Sequence, residues 1–172
     1  LGARAAKAAT GTPGASLACS LVSSPGLGAV AAHHGLDFHE TLTGFKWISR
    51  APGIVFGFEE ALGYLVNPET VRDKDGISAA VAILGLAAEA HERGKSLADL
   101  LTELGDTYGH FASGQVSVRV DDLSVIGTVM LSLRTLPPSQ FGGHTIASAE
   151  DLLQAGPGQP SGDVLRFRLT DG

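Results

Sequence analysis

Up to about residue 112, the chain alternates between short apolar runs of strand length and longer stretches whose apolar residues suit helices. Glycine and proline separate these segments, and Ser96 with Asp99 three residues later resembles a capping box. The pattern predicts helices over residues 1–9, 25–34, 77–93 and 96–108, and strands over 16–22, 36–40 and 54–58. Strands that alternate with helices are typical of an α/β fold, and we expect the helix over 77–93 to be long and largely buried.

The pattern changes near Ser113. Three valines alternate with polar residues over 116–120, which predicts a half-exposed strand. The remaining predicted elements are a helix capped by Asp121–Asp122 and ending at Leu136, strands at 145–146 and 164–169, and a Gly/Pro-rich segment over 155–162. Because the final Asp-Gly dipeptide is a hairpin turn with no strand behind it, we expect an α/β domain over 1–113 and an incomplete α+β domain over 114–172.

Composition excludes several classes of protein. The chain has 172 residues and a net charge of −6 without a basic block, which argues against a nucleic-acid partner. No uninterrupted apolar run approaches the length of a membrane span, about 18 residues. The single cysteine, Cys19, lies in an apolar, strand-like setting that predicts a buried thiol and a reduced, cytoplasmic location. Since the chain begins with Leu1 rather than Met, we expect a processed chain or a piece of a longer protein.

Candidate chemistry is concentrated between residues 41 and 76, where charged and polar clusters lie in an apolar frame. Such a region suits a small polar ligand. On a strand, Glu59 and Glu60 would point to opposite faces and could not act as an acid/base pair on one bond. Either glutamate could accept hydrogen bonds from the vicinal hydroxyls of a sugar, or form an ion pair at the strand end. Lys74 precedes a helix, where a cation opposes the helix dipole, so we infer an anion nearby, such as phosphate.

The sequence predicts no metal site within this chain. The six histidines lack a metal-ligand spacing, and the adjacent His33 and His34 would face apart on a helix. The string over 73–76 resembles the middle of a calcium loop, but Val71 and Ala82 stand where the first and last ligands should be.

Three motifs carry a resemblance to a known family. TLTGFKWI, GFEEALGY and VRDKDG, in this order and at these spacings, resemble the third domain of the α-D-phosphohexomutases, the phosphoglucomutase and phosphomannomutase family. The resemblance implies a three-layer α/β/α domain with a mixed sheet over 1–113, followed by the start of domain four. It also implies an isomerase of carbohydrate metabolism that moves phosphate between C1 and C6 of a hexose phosphate, through a phosphoserine and a bisphosphate intermediate.

The resemblance also implies roles for individual residues. Glu59 matches the carboxylate that binds the sugar ring, Thr43 and Gly44 match a loop that contacts the sugar, and Lys74 matches a basic residue facing substrate phosphate. Ala61 stands where many members have a serine, which leaves glucose, mannose and pentose phosphates open as substrates.

Other parts of the family pattern are missing. The chain has no TASHNP-type serine loop, no DGDxDR magnesium loop and no RxSGTEP phosphate loop. By the resemblance, the catalytic serine and the Mg²⁺ ligands lie outside this chain, and hexose 1,6-bisphosphate is the activator and intermediate of the parent enzyme. We therefore expect the isolated chain to be inactive. The alternative is a stand-alone, non-catalytic sugar-phosphate-binding or scaffold domain, and both alternatives leave the oligomeric state open.

Overall fold

The chain divides into two compact units, residues 1–114 and 115–172, in a computed structural model that describes residues 1–154 and 161–170. In the first unit the elements are α1 (Gly2–Ala9), β1 (Ser16–Ser20), α2 (Gly26–His34), β2 (Asp37–Thr41), α3 (Phe45–Ile48), β3 (Ile54–Glu59), β4 (Gly63–Leu65), α4 (Gly76–Glu92) and α5 (Leu97–Tyr108). The second unit contains α6 (Ser124–Thr135), β5 (Gln140–Phe141), β6 (His144–Asp151), a 3₁₀ turn (Leu152–Gln154) and β7 (Leu165–Leu169).

The first unit is built on a mixed four-stranded sheet in the order β2-β1-β3-β4. The central strand β1 pairs in parallel with both β2 and β3, and β4 returns antiparallel to β3. Every residue of β1 is buried, as expected for a strand covered on both faces.

Helices cover both faces of this sheet. Leu17 and Cys19 belong to a core cluster that includes buried residues of α1 and α2, such as Ala6 and Val30. Ala18, between them in sequence, packs with residues of α3 on the opposite side. Successive residues of a strand point to opposite faces, so these clusters lie on the two sides of the sheet. The predicted three-layer α/β/α domain with a mixed sheet is thereby confirmed.

Helix boundaries follow from local chemistry. Gly35 ends α2 in a left-handed conformation with φ of 67°, a role that favours glycine. Asp75 caps α4 by accepting hydrogen bonds from the backbone N–H groups of Ile77 and Ser78. The capping box of Ser96 and Asp99 at the start of α5 is present, as predicted.

Two sequence predictions are wrong. No strand forms over 116–120, where Val116 is 92% exposed, because alternation of side chains describes a strand but supplies no partner for its backbone. Helix α4 forms as predicted, but it is not largely buried. Its only buried residues are Ala79 and Ala90, while Ile77, Val81 and Leu84 are exposed.

Four short elements were not predicted from the sequence: α3, β4, β5 and the 3₁₀ turn. The second unit is an antiparallel β5-β6-β7 sheet with α6, whose start is hydrogen-bonded to Asp122. Most of the predicted Gly/Pro-rich segment, 155–160, and the final dipeptide, 171–172, lie outside the described residues. Within the described residues, no helix is long and apolar enough to cross a membrane.

Candidate functional site

The candidate residues follow the carboxyl ends of the three parallel strands. Ser20 ends β1, Thr43 and Gly44 follow β2, and Glu59 ends β3. Parallel strands place their carboxyl ends at one edge of the sheet, which is where open α/β sheets bind ligands. The fold therefore collects residues that are widely separated in sequence.

Glu59 is a nearly buried carboxylate at this edge. It is 8% exposed and pairs across the hairpin with Gly63 of β4. An added Cβ at Gly63 would lie 2.6 Å from Cγ of Glu59, so the glutamate side chain lies directly over the glycine. The close approach of Glu59 to Gly63 was not predicted, although the glycine that follows the Glu59 segment is visible in the sequence.

Lys74 is the polar partner of Glu59. Its Nζ lies 3.9 Å from Oε1 of Glu59 and 5.5 Å from the centroid of the Phe45 ring. Among the described residues, Lys74 is the only side chain that makes a polar contact with the Glu59 carboxylate. The sequence predicted an anion near Lys74, and within the chain the Glu59 carboxylate is such an anion. A carboxylate can accept several hydrogen bonds, and this ion pair is the polar contact that the Glu59 side chain makes with other side chains in the described part of the chain.

The turn before α3 is linked to this pair in space through Phe45, whose ring lies beneath Nζ of Lys74. Thr43 is exposed, and Gly44 adopts φ of 116°, a conformation that side-chain-bearing residues rarely adopt. Phe45, which follows Gly44, is buried and carries Lys74 over its ring. Ala61 lies exposed in the hairpin loop after Glu59 and offers no polar side-chain atom. The structure therefore joins Glu59 directly to Lys74, and joins Lys74 to the segment of Thr43 and Gly44.

Glu60 has a different environment from Glu59. Its Oε2 accepts hydrogen bonds from the hydroxyls of Ser23 at 2.7 Å and Ser20 at 3.0 Å. Burial alone raises the pKa of Glu60, but hydrogen bonds from Ser23, from its own backbone N–H and from Ser20 lower it below the usual value. The two adjacent glutamates thus engage different partners. Because β3 ends at Glu59 and Glu60 lies in the turn that follows, the alternation expected along a strand does not apply to this pair. No sequence signal pointed to Ser20 or Ser23.

Cys19 lies next to this region, in β1. It is 1% exposed, and the predicted buried thiol is confirmed. Burial, together with the charges of Glu40 and Glu60, raises the pKa of this thiol to about 12. A thiol of this kind is inert at neutral pH, so Cys19 is a core residue rather than a nucleophile.

His33 and His34 do not face apart. Their ring centroids are 5.0 Å apart, and His33 makes an edge contact with Tyr108 at 5.1 Å. Nε2 of His34 is hydrogen-bonded to the Tyr108 hydroxyl at 3.0 Å, because α5 packs beside α2 and draws both rings toward it. The part of the chain that the structure describes contains no group of three or more His, Cys, Asp or Glu side chains placed to hold a metal ion.

Comparison with known proteins identifies the family. Residues 1–108 match the family model described as phosphoglucomutase/phosphomannomutase, alpha/beta/alpha domain III. The chain belongs to the phosphoglucomutase/phosphomannomutase family. This membership confirms the resemblance carried by the three motifs between residues 41 and 76.

Individual family members show how much of such a protein the chain represents. It is 48% identical to a probable phosphomannomutase of Haemophilus influenzae over 156 residues, which are 91% of this chain and 32% of that protein. It is 31% identical to a phosphoglucomutase of Staphylococcus aureus (strain bovine RF122 / ET3-1) over 78% of this chain and 26% of that protein. It is 35% identical to a phosphopentomutase of Pongo abelii over 77% of this chain and 24% of that protein. The chain spans about a third or less of these relatives.

Proposed function

We propose that the first unit binds the sugar of a sugar phosphate within a phosphohexomutase that moves phosphate between C1 and C6. In this proposal Glu59 accepts hydrogen bonds from ring hydroxyls, Lys74 faces the phosphate, and Thr43 and Gly44 contact the sugar. The observation that carries it is the Glu59 carboxylate, nearly buried at the ligand-binding edge with one ionic contact at 3.9 Å. A charge-assisted hydrogen bond to such a group is stronger than a neutral one.

Family membership supports a sugar phosphate as the ligand. The relatives are named for phosphomannomutase, phosphoglucomutase and phosphopentomutase activities, so the proposed substrate is a hexose or pentose phosphate. The cation and the carboxylate are close together, and the two charges suit the phosphate and the hydroxyls of one small molecule. Ala61 offers no hydroxyl, and selection between sugars therefore rests on other contacts.

The proposal divides the reaction between this chain and the rest of the protein. Phosphoryl transfer depends mainly on positioning and on stabilisation of charge, and the residues described here would supply positioning. We propose that the phosphoserine, the Mg²⁺ ligands and the main phosphate loop are supplied outside this chain, which by itself is then inactive. We also propose that the second unit is part of the domain that follows domain III, and that the enzyme is cytoplasmic.

Glu59→Ala in the full-length gene product tests this function. A charge-assisted contact is worth roughly 1.5–3 kcal/mol, so we expect kcat/KM to fall by roughly 10- to 150-fold. The measurement is the turnover of glucose 1-phosphate, mannose 1-phosphate and ribose 1-phosphate by the variant and the unmodified protein.

The matched control is Glu92→Ala. Glu92 is an exposed carboxylate at the far end of α4, about 24 Å along the helix from its start beside Lys74. Its removal should leave turnover unchanged. Full activity of Glu59→Ala on all three sugar phosphates would remove Glu59 from the site, and a gene product that binds but never isomerises them would favour a non-catalytic binding domain.

A further inference from the structure

The loops after β1 and β3 meet where the strand order of the sheet reverses. The chain leaves β1 for β2 on one side, while β3 lies on the other side of β1. In open α/β sheets this reversal leaves a crevice between the carboxyl ends of two neighbouring strands. Here the crevice separates Ser20, the last residue of β1, from the hairpin loop that follows Glu59.

A cluster of three side chains bridges this crevice. The Glu60 carboxylate accepts hydrogen bonds from Ser20 and Ser23, and the two serine oxygens lie 2.7 Å apart. The backbone N–H of Glu60 also donates to the Ser23 hydroxyl at 3.2 Å. Both the side chain and the backbone of Glu60 are therefore attached to the segment after β1. Ser20 is fully buried, which gives the attachment a rigid base.

The loop held in this way is short and strained. Glu59 pairs with Gly63, so only three residues, Glu60 to Leu62, connect the strands. Leu62 has φ of 61°, the single positive value among the described residues other than glycine, and its side chain is 81% exposed. A leucine in this conformation lacks the freedom of glycine and persists where the surroundings hold it in place. The attachment of Glu60, two residues earlier, is such a constraint.

Glu59 is the residue immediately before this loop. The Glu59 side chain lies over Gly63 and makes its ionic contact with Lys74 at 3.9 Å, without a hydrogen bond of its own among the described residues. The backbone of Glu59 is paired with that of Gly63 in β4. Glu60, the next residue, ties that backbone to β1.

We propose that Glu60 is a positioning residue that fastens the hairpin loop to β1 through Ser20 and Ser23, and thereby holds Glu59 in place for the sugar. This inference rests on the proposed function, since it assigns Glu60 an effect that passes through Glu59. The ionised carboxylate suits this role because an anion accepts stronger hydrogen bonds than a neutral amide.

A double-mutant cycle in the full-length gene product tests the inference. Glu60→Ala should lower kcat/KM for the preferred sugar phosphate by roughly tenfold or more, because a small displacement of a binding group has a large kinetic effect. In a Glu59→Ala background the same substitution should change kcat/KM by less than about twofold, because the residue through which it acts is absent. Glu60→Gln, which keeps an acceptor, should restore part of the activity lost in Glu60→Ala.

Ser23→Ala provides a second, milder variant. It removes the hydroxyl that binds both the carboxylate and the N–H of Glu60, and should lower kcat/KM in the same direction without reaching the core. If Glu60→Ala does not fold, as judged by circular dichroism, Ser23→Ala completes the same cycle with Glu59→Ala. Glu92→Ala again serves as the control for removal of an exposed carboxylate.

The possible results separate the inference from the function on which it rests. An equal fold loss from Glu60→Ala with and without Glu59 would overturn the positioning role, as would an unchanged kcat/KM for Glu60→Ala or for Ser23→Ala. If Glu59→Ala itself has no effect, the proposed function fails, and the role of Glu60 fails with it. A large effect of Glu59→Ala beside a silent Glu60→Ala would retain the proposed function and reject only the positioning role.

Discussion

At the scale of single residues, the neighbouring glutamates Glu59 and Glu60 make different contacts because their surroundings differ. Glu60 is hydrogen-bonded to two serines, whereas Glu59, within the described residues, makes an ionic contact with Lys74 at 3.9 Å. β3 ends at Glu59, and Glu60 lies in the turn after it. The sequence predicted opposite faces for the two carboxylates only if the strand continued through both. It could not predict the partners of Glu60, which are about 40 positions earlier in the chain. Those partners depend on which strand lies beside β3.

Gly63→Ala tests whether the glycine makes room for Glu59. The new Cβ would lie 2.6 Å from Cγ and 2.8 Å from Oε1 of Glu59, so the flexible glutamate side chain must move. We expect kcat/KM for sugar phosphates to fall about as far as in Glu59→Ala, while the protein stays folded.

Gly76→Ala is the matched control, because nothing lies within 4 Å of an added Cβ at that position. Gly76 is the first residue of α4, so Gly76→Ala should leave turnover unchanged and raise the free energy of unfolding by up to about 1 kcal/mol. Normal turnover of Gly63→Ala would show that Glu59 does not need the space above the glycine.

At the scale of elements, local signals predicted most helices and strands of the first unit, and failed where tertiary contacts decide. The caps and glycines that bound α2, α4 and α5 act within a few residues, so the sequence reveals them. Burial of α4 depends on what packs against it, and an apolar composition does not supply a partner. The short helix α3 and the strand β4 likewise exist through packing on the sheet and pairing with β3.

Two leucines test the exposure of α4. Leu65 in β4 is fully buried, whereas Leu84 in α4 is 69% exposed. Leu65→Ala should lower the free energy of unfolding by about 2–5 kcal/mol, because it removes buried contacts and leaves a cavity. Leu84→Ala should change the free energy of unfolding by no more than about 0.5 kcal/mol, as measured by urea denaturation. A cost for Leu84→Ala equal to that for Leu65→Ala would mean that this face of α4 is covered in solution.

At the scale of the whole molecule, the candidate site belongs to the first unit, which also carries a pH-sensitive contact between helices. His34 at the end of α2 is hydrogen-bonded through Nδ1 to Thr10 and through Nε2 to Tyr108 of α5. The Thr10 hydroxyl donates to the carbonyl of Ala6, so it accepts from His34, and Nε2 accepts from Tyr108. This arrangement uses neutral His34 and joins three helical segments.

The stability of this contact should fall in mild acid. Burial, then the charges of His33 and Lys7, lower the pKa of His34, so the unfolded chain binds its proton more readily than the folded protein. The contribution of His34 to the free energy of unfolding is therefore complete above its unfolded-state pKa of about 6.5. It is lost as pH falls through the lower folded-state pKa. Urea denaturation between pH 5 and 8 should show a free energy of unfolding that rises with pH, and the slope of that rise measures the effect.

One variant assigns the pH dependence of the free energy of unfolding. His34→Gln should reduce the slope, since it removes the titrating group. An undiminished slope in His34→Gln would place the titration on another residue.

By itself, the sequence determined the α/β class, the family, most elements of the first unit, and the segment between residues 41 and 76 as the candidate site. These features depend on periodicity, caps and short motifs, which act over a few residues. The tertiary structure alone decided that Glu59 meets Lys74, that Glu60 is tied to Ser20 and Ser23, and that most of α4 is exposed. Such contacts join residues that are distant in sequence, and they follow from the order of strands in the sheet and from the packing of helices on it.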